Sequence, residues 1–356
     1  MKWWGVFLLS TISITAFGQE LPIGLREGLL GNSGVALTTS TAASYYNPSL
    51  LRDREDNSYS IGGSSFSSMK LESSGTHTSS TNISPSYVSS ILVGDSLVHE
   101  FFYLTLASGT LWSESQNTST SYTNAMNIGI SRFGYSMAFR SIPFAMQFLG
   151  RYTDASLIGY GEGQSPNMTF HQQADVKDLA VALGLSGHAR FKSYSLGFNF
   201  ITRGLKIYKA EKGFTRIFVQ GSPNPNDYII TEKSSAPLSI SEERQSLKIG
   251  HSFANNGHEF VTDSFLVETP EAENTYNFYQ SFGYMLTSQN GHQLMTGVRH
   301  ALGPEIKYFG QDIYASVGYS WKTRGLRSSF GVFYNQKDLN TQYSVVGLNF
   351  ASEFSY

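Results

Sequence analysis

The 356-residue chain contains no cysteine, which excludes a disulfide framework, thiolate metal sites and a lipid-modified N-terminal cysteine. Charge is also scarce. Asp, Glu, Lys and Arg make up 15% of the sequence, against roughly a quarter in soluble domains. The two signs nearly cancel, to a net −2, so nothing points to nucleic acid or another strongly charged partner. Past residue 18 no apolar run approaches the roughly 20 residues that a spanning helix needs, and helical stripes are nearly absent. What the chain does have is 14% aromatics and 34 glycines. Something other than charge must cover part of its surface.

The first residues, "MKWWGVFLLSTISITAFGQE", give a basic start at Lys2, an apolar stretch from Trp3 to about Ile14, and a small-residue site at Ala16-Phe17-Gly18. This pattern predicts a secretory signal peptide over 1–18. An exported chain with neither a lipid anchor nor a spanning helix has two destinations, secretion in soluble form or insertion as a barrel in a bacterial outer membrane.

After residue 56 the dominant pattern alternates with period two, the mark of strands with different chemistry on their two faces. Candidate strands lie near 57–71, 82–94, 98–112, 122–140, 143–158, 175–189, 193–208, 242–254, 258–268, 274–287, 292–302, 311–321, 325–335 and 342–356. The total of about fourteen is even, as single-chain bacterial barrels require. Tight turns follow the even strands: "GDS" at 94–96, "SIP" at 141–143, "FKS" at 191–193, "NNG" at 255–257, "SQNG" at 288–291 and "KTRG" at 322–325. Longer polar segments follow most odd strands, at 73–81, 113–121, 159–173 and about 209–241. Short periplasmic turns alternating with long external loops are the habit of outer-membrane barrels. Within 209–241, Phe214 to Val219 and Tyr228 to Thr231 could form a further hairpin, which would bring the count to sixteen.

Aromatics near strand ends suit the two membrane interfaces; examples are Tyr59, Tyr87, Phe101 to Tyr103, Trp112, Tyr152, Tyr276 to Tyr279, Tyr314, Trp321 and Tyr334. In the last segment, "YSVVGLNFASEFSY", Val346, Leu348, Phe350, Phe354 and Tyr356 share one face. Phe350, Phe354 and the terminal Tyr356 resemble the C-terminal signal that bacterial barrel-assembly machinery recognises. The expected fold is therefore all-β, a transmembrane antiparallel barrel of about 14 strands over 57–356.

That parse leaves 19–56 outside the wall. Small residues dominate Gly28 to Ser44, which lets backbone pack closely against a wall or thread a lumen. Pro48 fixes its own φ and pushes Asn47 toward extended geometry. The stretch "REGLLGNSGVALTTSTAASYYNPSLL" resembles the N-terminal hatch of the FadL-type transporter family of the outer membrane. The matching residues are Gly31, Gly34, Val35-Ala36, Ala42-Ala43-Ser44 and Tyr45-Tyr46-Asn47-Pro48. Ser49-Leu50 stands where that family usually has Ala-Gly, and Thr39-Ser40-Thr41 where an acidic pair is common.

The resemblance implies a fourteen-stranded barrel whose lumen is plugged by a hatch over 19–56. It further implies passive uptake of a hydrophobic small molecule, fatty-acid-like or an aromatic hydrocarbon. Gly31 and Gly34 would give the hatch mobility, Tyr45, Tyr46, Asn47 and Pro48 would form the gate, and Asn47 would bond the inner wall. Shorter barrels of this type also serve as non-transporting partners of secretion or surface-attachment machinery, which is the alternative. The expected partners are the ligand, outer-membrane lipid and lipopolysaccharide, and the assembly machinery, with the barrel itself monomeric.

Enzymatic chemistry has little support. "GNSGV" at 31–35 is not a G-x-S-x-G nucleophile elbow. The histidines at 77, 99, 171, 188, 251, 258, 292 and 300 show neither H-E-x-x-H nor metal spacing. His251 and His258 flank one turn and His292 and His300 share a strand face; all four read as ordinary lumen or interface residues. Glu242, Glu243, Arg244 and Lys248 read as a solvated loop edge. No catalytic residue, metal or cofactor is expected.

Overall fold

The computed structural model describes residues 23–356 apart from 25, 38–39, 74–75, 82–85, 117–119, 165–166, 220–227, 232–243, 269–275, 303–312 and 339–341. The predicted signal peptide lies outside the described residues. The wall is built from fourteen antiparallel staves. They are β1 (Ser58–Ser73), β2 (Thr76–Thr81 and Ser86–Val93), β3 (Leu97–Gln116), β4 (Thr120–Phe139), β5 (Phe144–Gln164), β6 (Asn167–Phe191) and β7 (Tyr194–Ile201 and Leu205–Val219). The second half comprises β8 (Tyr228–Thr231 and Ser246–Asn255), β9 (His258–Glu268), β10 (Tyr276–Thr287), β11 (Gln293–Ala301), β12 (Ile313–Thr323), β13 (Leu326–Asp338) and β14 (Gln342–Ser355).

Three staves come in two pieces, and register shows each to be one stave. Both pieces of β2 pair with β1 and with β3. Both pieces of β7 pair with β6, and both pieces of β8 pair with β7. At the break in β7 the wall is still tied to β6, because Thr202 N donates to the Leu183 carbonyl (2.9 Å) and Leu183 N donates to Thr202 Oγ1 (3.0 Å). β1 closes the ring on β14, from Ser58↔Ser355 to Glu72↔Gln342. Closure leaves no free sheet edge, the condition for a β-structure to cross a membrane.

The hairpin expected within 209–241 exists: Tyr228 to Thr231 pair with Phe218 to Thr215. It prolongs β7 and β8 instead of adding staves, so the count is fourteen and not sixteen. The polar stretches 73–81, 113–121 and 159–173 are not long loops. They carry the ends of staves, with β5 and β6 paired up to Gln164↔Asn167.

Period two organises the wall radially. Along β11, Leu294, Thr296 and Val298 are exposed on the outside, whereas Gln293, Met295, Gly297 and Arg299 are buried inside. Large apolar side chains cover the outer surface on every side, among them Phe101, Phe148, Leu183, Phe260, Phe330 and Leu348. Such a belt would be a liability in water and matches a lipid-facing surface. Several of the aromatics assigned to the interfaces point the other way, among them Phe102, which is buried on the inner face of β3. Tyr87 and Tyr314 are fully buried and face the lumen, where their hydroxyls find partners in Glu100 and the Gly28 carbonyl.

Candidate functional site

The described residues of 23–57 precede β1, and those up to Leu51 lie inside the ring. From Ile23 to Leu51 every described residue is buried. The segment consists of a 3₁₀ turn at Glu27–Leu29, a one-turn helix α1 at Ala43–Tyr46, and a 3₁₀ helix at Pro48–Asp53. It bonds to staves all around the barrel, which a segment outside the ring could not do.

One half of the wall receives residues 28–36 by close approach, of backbone at Gly197, Gly283 and Gly297 and of the Leu29 side chain at Gly318 and Gly331. Three cross-strand glycine pairs face the lumen there: Gly197↔Gly250, Gly283↔Gly297 and Gly318↔Gly331. At Gly297 an added Cβ would lie 2.0 Å from Gly31 N and 2.1 Å from Leu30 C, so only glycine fits. Gly31 is itself at φ +72, and a Cβ on it would lie 2.6 Å from the Val298 carbonyl oxygen. Polar anchors hold the same stretch. Asp263 Oδ2 accepts from the backbone of Gly34 (2.6 Å) and Val35 (3.0 Å), the Gly31 N–H donates to Ser316 Oγ (3.3 Å), and Tyr314 donates to the Gly28 carbonyl (2.6 Å).

The other half of the wall holds α1 and the turn after it. Glu100 on β3 accepts from Ser44 N (3.0 Å), Ser44 Oγ (2.5 Å) and the Tyr87 hydroxyl (2.5 Å). Gln147 on β5 donates to the Ser44 carbonyl and to Ser136 Oγ. The carboxylate thus caps the helix's first turn, where backbone N–H groups lack intrahelical partners. Asn47 is extended (φ −159, ψ 99), as the following proline favours. Its Oδ1 accepts from Ser49 N (3.1 Å), capping the 3₁₀ helix with Pro48 in its first turn. Its Nδ2 donates to the carbonyls of Val35 (2.7 Å) and of Gly187 in β6 (3.1 Å), joining two parts of the segment to the wall.

Tyr45 and Tyr46 pack edge to face, with centroids 4.9 Å apart. Tyr46 donates to Asn32 Oδ1 (2.6 Å), and its own carbonyl accepts from Asn199 of β7 (3.0 Å). Both rings belong to an apolar cluster that also takes Ile23 and Ala42 from the segment and Phe102, Leu104, Leu149 and Ile201 from β3, β5 and β7. Lys248 Nζ stands 4.8 Å from the Tyr45 ring, 5.4 Å from Tyr46 and 4.7 Å from Phe265, within cation–π range of all three. Arg132 sits 6.0 Å over Tyr45. The lumen here offers apolar surface and positive charge side by side.

The structure brings Gly31, Gly34, Tyr45, Tyr46, Asn47 and Pro48 together in the buried segment inside the ring. Gly34, like Gly31, marks a close approach: its added Cβ would lie 2.6 Å from Tyr46 Cγ. Phe350, Phe354 and Tyr356 stand apart from them, exposed on the outer face of β14 and at the chain end. Lys248 is not a loop-edge residue. It is buried in the lumen, while Glu242 and Glu243 lie outside the described residues. The alternation in "SLKIGHSF" carries the signal, since Leu247, Ile249, His251 and Phe253 share the outer face and leave Lys248 inside. Glu100 and Asp263 carry no motif; each is an acid on the inward parity of its stave, and on β9 Asp263 shares that parity with the buried Glu259. Among the described residues no group of three or more His, Asp and Glu could hold a metal ion.

No protein-family model matches the chain, and no curated protein matches it. Solved structures do. The Ralstonia pickettii toluene transporter TbuX superposes with a TM-score of 0.69 at 12% identity, covering 96% of this chain and 100% of its own. The Pseudomonas putida toluene transporter TodX gives 0.61 at 12% identity, covering 95% and 98%. A Pseudomonas aeruginosa FadL homologue gives 0.60 at 7% identity, covering 94% and 99%. The fold of this chain is that of the FadL-type hydrocarbon channels, shared over nearly its whole length.

Proposed function

We propose that this protein is an outer-membrane channel for passive uptake of hydrophobic small molecules, and that residues 19–56 act as its hatch. The observation that carries the reading is the apolar cluster built jointly by the plug and the wall around Tyr45 and Tyr46. A polar-solute porin has no use for such a surface in its lumen, whereas a hydrophobe leaving the outer leaflet would be stabilised on it. The toluene transporters among its structural neighbours support the same substrate class. Lys248 and Arg132 beside the tyrosine rings extend that class to hydrophobes bearing a carboxylate. The apolar cluster also favours transport over a purely structural role as a secretion partner.

Deleting 19–48 removes both the close-packed stretch and α1. Single-channel conductance in planar bilayers is expected to rise sharply, and cells carrying the intact chain should accumulate labelled oleate or toluene faster than cells without it. An unchanged trace would refute the plug, and unchanged accumulation of both compounds would refute the transport reading.

A further inference from the structure

Four of the eight histidines form one repeated arrangement on the outer surface, at the rim where the short turns lie. His99 Nδ1 is 2.6 Å from the Tyr135 hydroxyl, His251 Nδ1 2.5 Å from Tyr194, His258 Nδ1 2.7 Å from Tyr284, and His292 Nδ1 2.6 Å from Tyr319. Each pair bridges adjacent staves, with ring centroids 5.7 to 6.0 Å apart. The local sequences are "HEF" at 99–101, "HSF" at 251–253, "HEF" at 258–260 and "HQL" at 292–294. In every case the tyrosine stands directly opposite the apolar third residue: Phe101↔Tyr135, Phe253↔Tyr194, Phe260↔Tyr284 and Leu294↔Tyr319. The histidine then reaches the hydroxyl diagonally.

Proton bookkeeping makes each pair an outward donor. If the tyrosine O–H donates to Nδ1, the imidazole carries its proton on Nε2. If Nδ1–H donates instead, the tyrosine keeps its own O–H free to donate. If the ring is charged, both donors remain. Among the described residues no Nε2 atom of the four has a protein partner. A donor held among lipid-facing aromatics, at the level of a membrane interface, is met by interfacial water or by the acceptors of the lipid headgroups. Phosphodiester oxygens are acceptors only and carry the negative charge that strengthens such bonds.

We infer that the four Tyr–His pairs are binding sites for phospholipid phosphodiester groups of the leaflet facing the short turns. The inference rests on the membrane reading given under Proposed function. Each site presents one apolar side chain for the acyl chains and one donor for the phosphate.

The test is native mass spectrometry of the full chain after detergent release from bilayers containing dioleoyl phosphatidylglycerol or, in its place, dioleoylglycerol. Phosphatidylglycerol is expected to stay bound, and dioleoylglycerol, which lacks the phosphate, to wash away. Replacing all four histidines by leucine should lower retained phosphatidylglycerol about tenfold, the effect of roughly 1.4 kcal/mol per site. Glutamine at the same positions places an amide N–H where Nε2–H was and should restore it. Because the leucine set alters four packed positions, Tyr→Phe at 135, 194, 284 and 319 provides a second variant that removes only oxygen atoms; the imidazole keeps an N–H but loses the partner that fixes its tautomer and orientation, so retained lipid should fall to between the parent and the leucine set. Folding and insertion are read from heat-modifiable mobility and channel conductance. An inserted barrel that retains both lipids alike, or whose leucine and phenylalanine variants retain as much as the parent, overturns this assignment alone. A parent chain that inserts into neither bilayer overturns the membrane reading and the assignment with it.

Discussion

Gly297 shows how a residue with no side chain can decide what fits inside the ring. Its missing Cβ leaves the space that Leu30 and Gly31 occupy with their backbone, and backbone, unlike a flexible side chain, cannot step aside. Valine at this position suits a strand intrinsically better than glycine does, so the wall should tolerate it while the plug does not. Gly297→Val is therefore expected to remain a folded, heat-modifiable barrel with raised basal conductance. Gly129→Ala is the control, since a Cβ there meets only the Asp154 carbonyl at an ordinary 3.6 Å. Equal conductance in the two variants would mean that the glycine pairs do not seat the plug. The glycines of the plug were legible in the sequence as small residues able to pack closely. Their partners in the wall were not, because a glycine in a strand looks the same whether it faces lipid, a neighbouring aromatic or a threaded backbone.

At the scale of elements, α1 is the part least visible in the sequence. Four residues, Ala-Ser-Tyr-Tyr, cannot hold a helical turn by propensity, since nucleation is unfavourable and isolated helices this short are unstable in water. The turn exists because the wall supplies what the sequence lacks: Glu100 caps its start, Gln147 binds the Ser44 carbonyl and Asn199 binds the Tyr46 carbonyl. Glu100→Ala removes an acceptor that takes three hydrogen bonds, leaving the Ser44 amide buried and unpaired, at a cost of about 1–3 kcal/mol. Amide hydrogen exchange at residues 44–46 is expected to accelerate by one to two orders of magnitude, with exchange in β9 to β13 unchanged. Protection at 44–46 equal to the parent's would show that the carboxylate does not hold α1. The stave ends failed to show for the opposite reason. Where both faces of a strand carry polar residues, as in 73–81 and 159–173, period-two alternation disappears from the sequence, although the described residues there are still paired in the ladder.

The whole molecule was legible wherever lipid imposes a pattern. The outer apolar parity, the tight turns and the even strand number all follow from one face meeting hydrocarbon while the chain must close on itself. Closure is where the last residues act. β14 pairs with β13 on one side and β1 on the other, so the barrel is complete only when its final stave is seated. The end of that stave is fastened at the rim: Tyr356 N donates to the Asn57 carbonyl (3.1 Å), Ser355 N donates to the Gly325 carbonyl (2.8 Å), and the Tyr356 ring stacks on Tyr59 with centroids 5.4 Å apart. Phe354 stacks on Tyr356 in turn. Aromatic pairs of this kind contribute about 0.5–1.5 kcal/mol each, and here they act where the first and last staves meet. Phe354→Ala with Tyr356→Ala is expected to reduce the heat-modifiable, membrane-inserted fraction several-fold during assembly. Val346→Ala, which trims an equally exposed apolar residue at mid-stave, should cost far less. Gel mobility before and after boiling reads both. If the two variants insert with equal yield, the terminal aromatics contribute only apolar area, and closure of the ring does not depend on fastening its last residues to its first.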